Sequence, residues 1–223
     1  NVQRKIVVSC NVSGRDLIGT VEEIQRKVAG AVMFPDGYYV VYGGQFESEQ
    51  EASRTILMLS VVSVVGIFML LFIAFGSARL ALLVMVNLPL SLIGGVAAVY
   101  FTTKVLSVAS LVGFITLFGI ASRNGIMMIS HFQQLLGEGK SLRDAIFEGS
   151  MERLSPILMT ALTAGLALIP LIMHADAPGN EIQAPMAVVI LGGLASSTAL
   201  NLLVVPPLFW LFGRGREKLT PLE

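Results

Sequence analysis

A mainly α-helical membrane segment is the fold class this 223-residue sequence predicts, and three observations predict it. Charge is scarce: 13% of residues are Asp, Glu, Lys or Arg against 54% hydrophobic, with a mean hydropathy of +0.77. Soluble domains run nearer a quarter charged. The charges are also segregated: thirteen of the thirty precede Thr55, and only Arg79, Lys104 and Arg123 occur between Thr55 and Gly137. Finally, five apolar stretches follow Arg54, each long enough to cross a bilayer, which takes about 17 to 25 residues. Fifteen basic residues balance fifteen acidic ones, so no net field draws phosphate, and a nucleic-acid binder, a disordered chain and an ordinary soluble domain are disfavoured. A single cysteine, Cys10, excludes a disulfide framework and a multi-cysteine zinc site.

The first element, residues 1–46, reads as strand, helix, strand. Lys5 to Val12 is rich in β-branched residues, and Cys10 alternates with Val8 and Val12 as a small buried hydrophobe. Leu17, Val21, Ile24, Val28 and Val32 recur at helical spacing after Asp16, an expected N-cap. Phe34-Pro35-Asp36-Gly37 is turn chemistry, and Tyr38 to Tyr42 is the second strand. Such a βαβ unit buries too little apolar surface to stand alone and is expected to be the tail of a larger domain. Residues 47–54 are polar and helical in character, continuing into the first span.

The membrane region, residues 47–213, predicts helices at about 55–75, 80–101, 105–130, 156–173 and 184–212, with Pro206-Pro207 near the end of the last. Asn87, Pro89 and Gly94-Gly95 interrupt the second, and Arg123 and Asn124 lie within the third. Between the third and fourth, Ser141 with Asp144 resembles a capping box, opening a short interfacial helix at about 141–152. Basic residues set orientation. With the N-terminal segment outside, Arg79, Lys140, Arg143, Arg153, Arg214, Arg216 and Lys218 collect on the inner side and Lys104 alone on the outer. The loop from His174 to Gln183 adds only Asp176 and Glu181, and residues 214–223 form a cytoplasmic tail.

Arg123 is the most informative residue. A charge inside a span costs at least about 2.5 kcal/mol and is kept where it is paired or where it snorkels. Both readings stand: Gly119, Ala121 and Gly125 leave the helix narrow for close packing, while Arg123 lies within reach of the interface near His131. The chain has no Asp or Glu between Glu51 and Glu138 and none in the fourth or fifth span. A paired Arg123 therefore needs a carboxylate from outside this chain. Such a carboxylate facing an arginine is what a proton relay requires, with the arginine tuning the acid and not carrying the proton. Arg153 and Thr160 flank the start of the fourth span; a hydroxyl there also bonds its own backbone, and Arg153 also serves the inner-side basic bias. The methionines lie mostly in apolar spans as filler, with Met33 a single outer candidate for a soft metal; no metal ligand is assigned. His131 and His174 fall on opposite faces of the membrane. No phosphate-binding glycine loop and no Ser/His/Asp set suggests an enzyme.

Three motifs in order carry a resemblance: Gly43-Gly44-Gln45-Phe46-Glu47 before the first span, Phe118-Gly119-Ile120-Ala121-Ser122-Arg123-Asn124-Gly125, and Arg153-Leu154-Ser155-Pro156-Ile157-Leu158-Met159-Thr160. Together they resemble the resistance-nodulation-division exporters, the first motif their heavy-metal efflux branch. The resemblance implies a C-terminal piece of a longer polypeptide: the end of a ferredoxin-like periplasmic porter subdomain, then the final five of twelve transmembrane helices. It implies a secondary active transporter, driven by the proton motive force with no cofactor, exporting heavy-metal ions from the inner membrane of Gram-negative bacteria. It further implies a homotrimer in lipid, a periplasmic adaptor, an outer-membrane channel, and relay aspartates in the N-terminal half of the same permease. Arg123 with Asn124, Arg153 and Thr160 match the family's relay positions, with arginine where the drug-exporting branch commonly has lysine. An exporter of drugs or other amphiphiles, or a related membrane protein of protein export or lipid sensing, is the alternative.

Overall fold

The computed structural model describes residues 5–12, 15, 17–102, 105–175, 177–180 and 182–212. Asp16, Lys104, Asp176, Glu181, Arg214, Arg216, Lys218 and the tail 214–223, which carried expectations above, lie outside the described residues. Seven helices follow in order: α1 (Leu17–Ala31), α2 (Gln45–Phe75), α3 (Ala78–Met85), α4 (Asn87–Phe101), α5 (Val108–Gly137), α6 (Leu142–Met173) and α7 (Gln183–Phe212). The chain divides into two compact units, Asn1–Arg54 and Thr55–Glu223.

In the first unit α1 forms where the apolar spacing places it, and Glu23 on its polar side takes Arg15 at 2.8 Å and Lys27 at 2.7 Å. The turn also forms, with the Tyr38 amide donating to the Pro35 carbonyl at 3.1 Å and Gly37 at φ 91°. The two flanking strands do not form among the described residues, so the expected βαβ unit is not seen. A strand exists by pairing its backbone N–H and C=O groups with a neighbour, and residues 5–12 have none here. Ile6 and Val8 are accordingly exposed, and so is Cys10, against the expectation that it is buried.

The second unit is a helical bundle with five candidate membrane spans, α3 and α4 together making one. The second span breaks at Val86 because Pro89 has no N–H for the carbonyl of Met85, four residues back. The opposite happens at the inner loop. The expected interfacial helix and the fourth span run as one helix, α6, through Pro156, whose lost hydrogen bond the surrounding turns outlast. Ser141 does cap α6, accepting from the Asp144 amide at 3.2 Å. Gly139, at φ +88°, supplies the left-handed residue that ends α5. α7 likewise continues through Pro206 and Pro207 to Phe212.

α5 and α7 bury half of their apolar windows, whereas α2 and α6 bury only 6%, which makes the first two the core and the others the rim. α7 packs against α4, α5 and α6. Lipid tails give helices no hydrophobic reason to associate, so close packing of small residues must do it. A Cβ on Gly192 would stand 2.6 Å from the Gly94 carbonyl oxygen, and one on Gly193 2.7 Å from Leu117 Cδ2. Below this contact, Met128, Ile129 and Phe132 of α5 interlock with Ile157, Val205 and Phe209, the Phe132 and Phe209 rings 5.0 Å apart.

Candidate functional site

Thr116, Gly119, Ile120 and Arg123 recur at three- and four-residue spacing and so make one stripe along α5. Thr160 and Ala164 make the matching stripe on α6, and Leu194 of α7 joins them. Together these residues line a groove of about 320 Å³ between α5 and α6. The groove thus brings Arg123 and Thr160 to one place, although 37 positions separate them in sequence. Arg123 is exposed in the groove and, among the described residues, belongs to no ion pair. The Thr160 hydroxyl donates to the Pro156 carbonyl at 2.8 Å, and its oxygen keeps lone pairs to offer. Thr116 is held the same way, to Val112 at 3.0 Å.

The other two expected residues sit elsewhere. Asn124 is only 3% exposed, on the packed side of α5, next to Gly125, which lies against Asn87 of α4. Arg153 does not line the groove. It lies two turns before Thr160 on the same face of α6, about 10 Å away along the axis. Its side chain is half-buried, and its Nε has no hydrogen-bond partner among the described residues.

Two polar contacts were not legible from motif or spacing. Deep in the bundle, Asn87 Nδ2 donates to Asn201 Oδ1 at 3.0 Å, while Asn87 Oδ1, Asn201 Nδ2, Ser197 Oγ and Thr198 Oγ1 are buried without partners among the described residues. At the α5–α6 end, His131 Nε2 meets Glu152 Oε2 at 2.5 Å. The only sequence signal for either is a polar residue inside an apolar run. Beside that end, Lys140 pairs with Glu148 at 2.6 Å, and this hydrogen bond, aided by the charges of Glu148, Glu138 and Glu152, raises the Lys140 ammonium above its ordinary range against the opposing effect of desolvation. Among the described residues no three His, Cys, Asp or Glu side chains come together as a metal would require.

A bundle of apolar helices with a single arginine in an open interhelical groove is the membrane part of an integral membrane protein. Residues 1–213 match the model of the AcrB/AcrD/AcrF family, and the chain belongs to that family, as the resistance-nodulation-division motifs imply. The chain is 44% identical over 219 residues to Protein HelA of Legionella pneumophila, covering 98% of this chain and 21% of that protein. It is 41% identical to the cobalt-zinc-cadmium resistance protein CzcA of Cupriavidus metallidurans, covering 97% and 20% respectively. Among solved structures it resembles the crystal structure of a heavy metal efflux pump, with TM-score 0.79, 36% identity, and 92% of this chain matched to 20% of that one. The relatives are thus those of the heavy-metal efflux branch, whose members are efflux transporters and not enzymes. The chain spans about a fifth of their length.

Proposed function

We propose that this chain is the C-terminal part of a proton-driven antiporter that exports heavy-metal ions. The observation that carries the reading is Arg123: a cation in an open groove opposite Thr160, in a chain whose apolar stretches (55–75, 80–101, 105–130, 156–173 and 184–212) hold no carboxylate to pair with it. A helix from the rest of the permease, bearing an acid, would fill the groove. A protonated acid releases the arginine and an ionised one grips it, so each proton taken up and given off changes how that helix packs on α5 and α6. Thr160 offers a hydroxyl on the facing wall, and Arg153 a second cation two turns along α6. Asn124, on the packed side of α5, holds the helix at the turn that carries Arg123.

The basic-residue bias supports residues 1–46 as periplasmic and the C-terminal end as cytoplasmic, in the inner membrane. The wider assembly we propose is a homotrimer working with a periplasmic adaptor and an outer-membrane channel. The names of the relatives support metal cations as substrate, since the cobalt-zinc-cadmium resistance protein is 41% identical. The test is proton-coupled metal efflux by the complete permease in proteoliposomes. Arg123→Ala should abolish coupled efflux while leaving the amount of folded protein unchanged; normal coupled efflux by that variant would remove the relay reading.

A further inference from the structure

His131 occupies a part of α5 from which a titratable side chain gains nothing by accident. It is 9% exposed, its Nδ1 is buried with no hydrogen-bond partner among the described residues, and its Nε2 is 2.5 Å from the Glu152 carboxylate on α6. Glu152 itself is half exposed. The two residues therefore tie a packed point of α5 to an open point of α6. α5 carries Arg123 two turns before His131, and α6 carries Arg153 and Thr160 just after Glu152.

The backbone gives this tie a mechanical meaning. Pro156 has no N–H, so the carbonyl of Glu152 lacks its α-helical donor, and α6 is weakened at this residue. On one side of the weak point lies the capped, polar segment from Leu142; on the other lies the apolar part whose Thr160 lines the groove. A weakened turn lets those two parts tilt against each other unless something fixes the joint. The His131–Glu152 contact is attached to the joint itself. Phe132 next to His131 packs on α6 as well: a Cβ at Gly149 would stand 2.7 Å from its ring, so the helices touch here with no slack.

We propose that His131 and Glu152 are the positioning pair of the relay, holding the α6 joint against α5 so that Thr160 faces Arg123, and that the grip varies with the protonation of His131. This rests on the relay reading above. An imidazolium donating to a carboxylate makes a charge-assisted bond, about twice as strong as the bond from a neutral ring. The imidazolium meets a cost at Nδ1, where protonation leaves a buried N–H with no acceptor among the described residues, so the Glu152 contact is what must hold it. Few other charges act here. Glu138 ends near α5, Lys140 and Glu148 pair with each other, Arg153 adjoins Glu152, and α3 contributes Arg79. The α4 and α7 helices contain no Asp, Glu, Lys, Arg or His.

The experiment uses the complete permease in proteoliposomes, with pH varied on the face bearing the α5–α6 turn. His131→Ala and Glu152→Gln should each lower the efflux rate by about tenfold, and together no further, because they break one contact. His131→Gln keeps a donor toward Glu152 but cannot change charge. It should retain most of the rate and, with the proton gradient held constant, lose the part of the pH dependence at that face that His131 contributes. A wild-type pH profile in His131→Gln would reduce the pair to plain structural glue, and unchanged rates in His131→Ala and Glu152→Gln would overturn the proposal outright. Infrared difference spectra across the same pH range read the pair without transport. A carboxylate band that shifts in wild type and is absent in both Glu152→Gln and His131→Ala is expected even if Arg123→Ala defeats the relay reading. A band insensitive to His131→Ala means the contact does not form.

Discussion

Asn87 and Asn201 share a hydrogen bond of 3.0 Å across 114 positions of sequence, and neither is more than 1% exposed. Each amide presents a donor and an acceptor that water cannot reach, so removing one partner strands the other. Asn87→Leu and Asn201→Leu should each lower stability by about 1–2 kcal/mol, and the double substitution should cost less than the sum. Thermal unfolding in detergent, followed as a double-mutant cycle, checks this; strict additivity would mean that the bond contributes nothing.

Gly192 and Gly94 let α7 and α4 approach backbone to backbone, with the Gly94 carbonyl oxygen 2.6 Å from where a Gly192 Cβ would sit. A side chain there cannot be relieved by a rotamer change, because the obstacle is main chain. Gly192→Val should destabilise by about 3 kcal/mol, whereas Gly119→Val, in open space on α5, should change stability by less than about 1 kcal/mol. Comparing the melting temperatures of the two variants decides it.

Thr160 donates its only hydroxyl proton to Pro156, so its service in the groove is as an acceptor. Thr160→Val keeps the shape and removes the oxygen; it should slow coupled efflux by about tenfold, with Thr160→Ser near normal. Equal rates for all three would leave the hydroxyl a backbone role alone.

Among the described residues, Glu23 is the most strongly perturbed carboxyl outside the membrane spans. The hydrogen bond from Lys27, then that from Arg15, hold it down at about 2 from an ordinary 4.5. A depressed carboxyl contributes stability that is fully present above pH 4.5 and lost as pH falls through about 2. Carboxyl carbon NMR with Glu23→Gln for assignment should show the low titration, moving up toward 4.5 in Lys27→Ala and in high salt. A Glu23 signal titrating at 4.5 in the unaltered protein would show that the ion pairs do not persist in solution.

The helices were legible because an apolar run of span length admits little else, and α1 because its apolar spacing repeats every three or four residues. The strands were not, since β-branched composition at residues 5–12 states a preference that only a paired neighbour can satisfy. Prolines proved ambiguous in an instructive way. Pro89 divides the second span at Val86, whereas Pro156, Pro206 and Pro207 sit inside continuous helices, because packing decides whether a missing hydrogen bond is tolerated. Arg123 stood out by charge alone, but its facing Thr160 could not be read from spacing. A helix apolar on all sides carries no mark of which face turns toward which neighbour, and here the motif resemblance, not periodicity, linked the two. His131–Glu152 and Asn87–Asn201 escaped for the same reason: each is a meeting of side chains from two different helices.

The central position of α7 has a consequence for how such a bundle comes into being. α7 is made after the other six helices, yet it packs against α4, α5 and α6 and supplies the partner for Asn87. Until it enters the membrane, α4 has an unpaired amide and an empty glycine notch, and α5 lacks one of its main packing partners. Assembly of this bundle is therefore back-loaded: α4, α5 and α6 wait as loosely associated rods until α7, which follows them in the sequence, locks them.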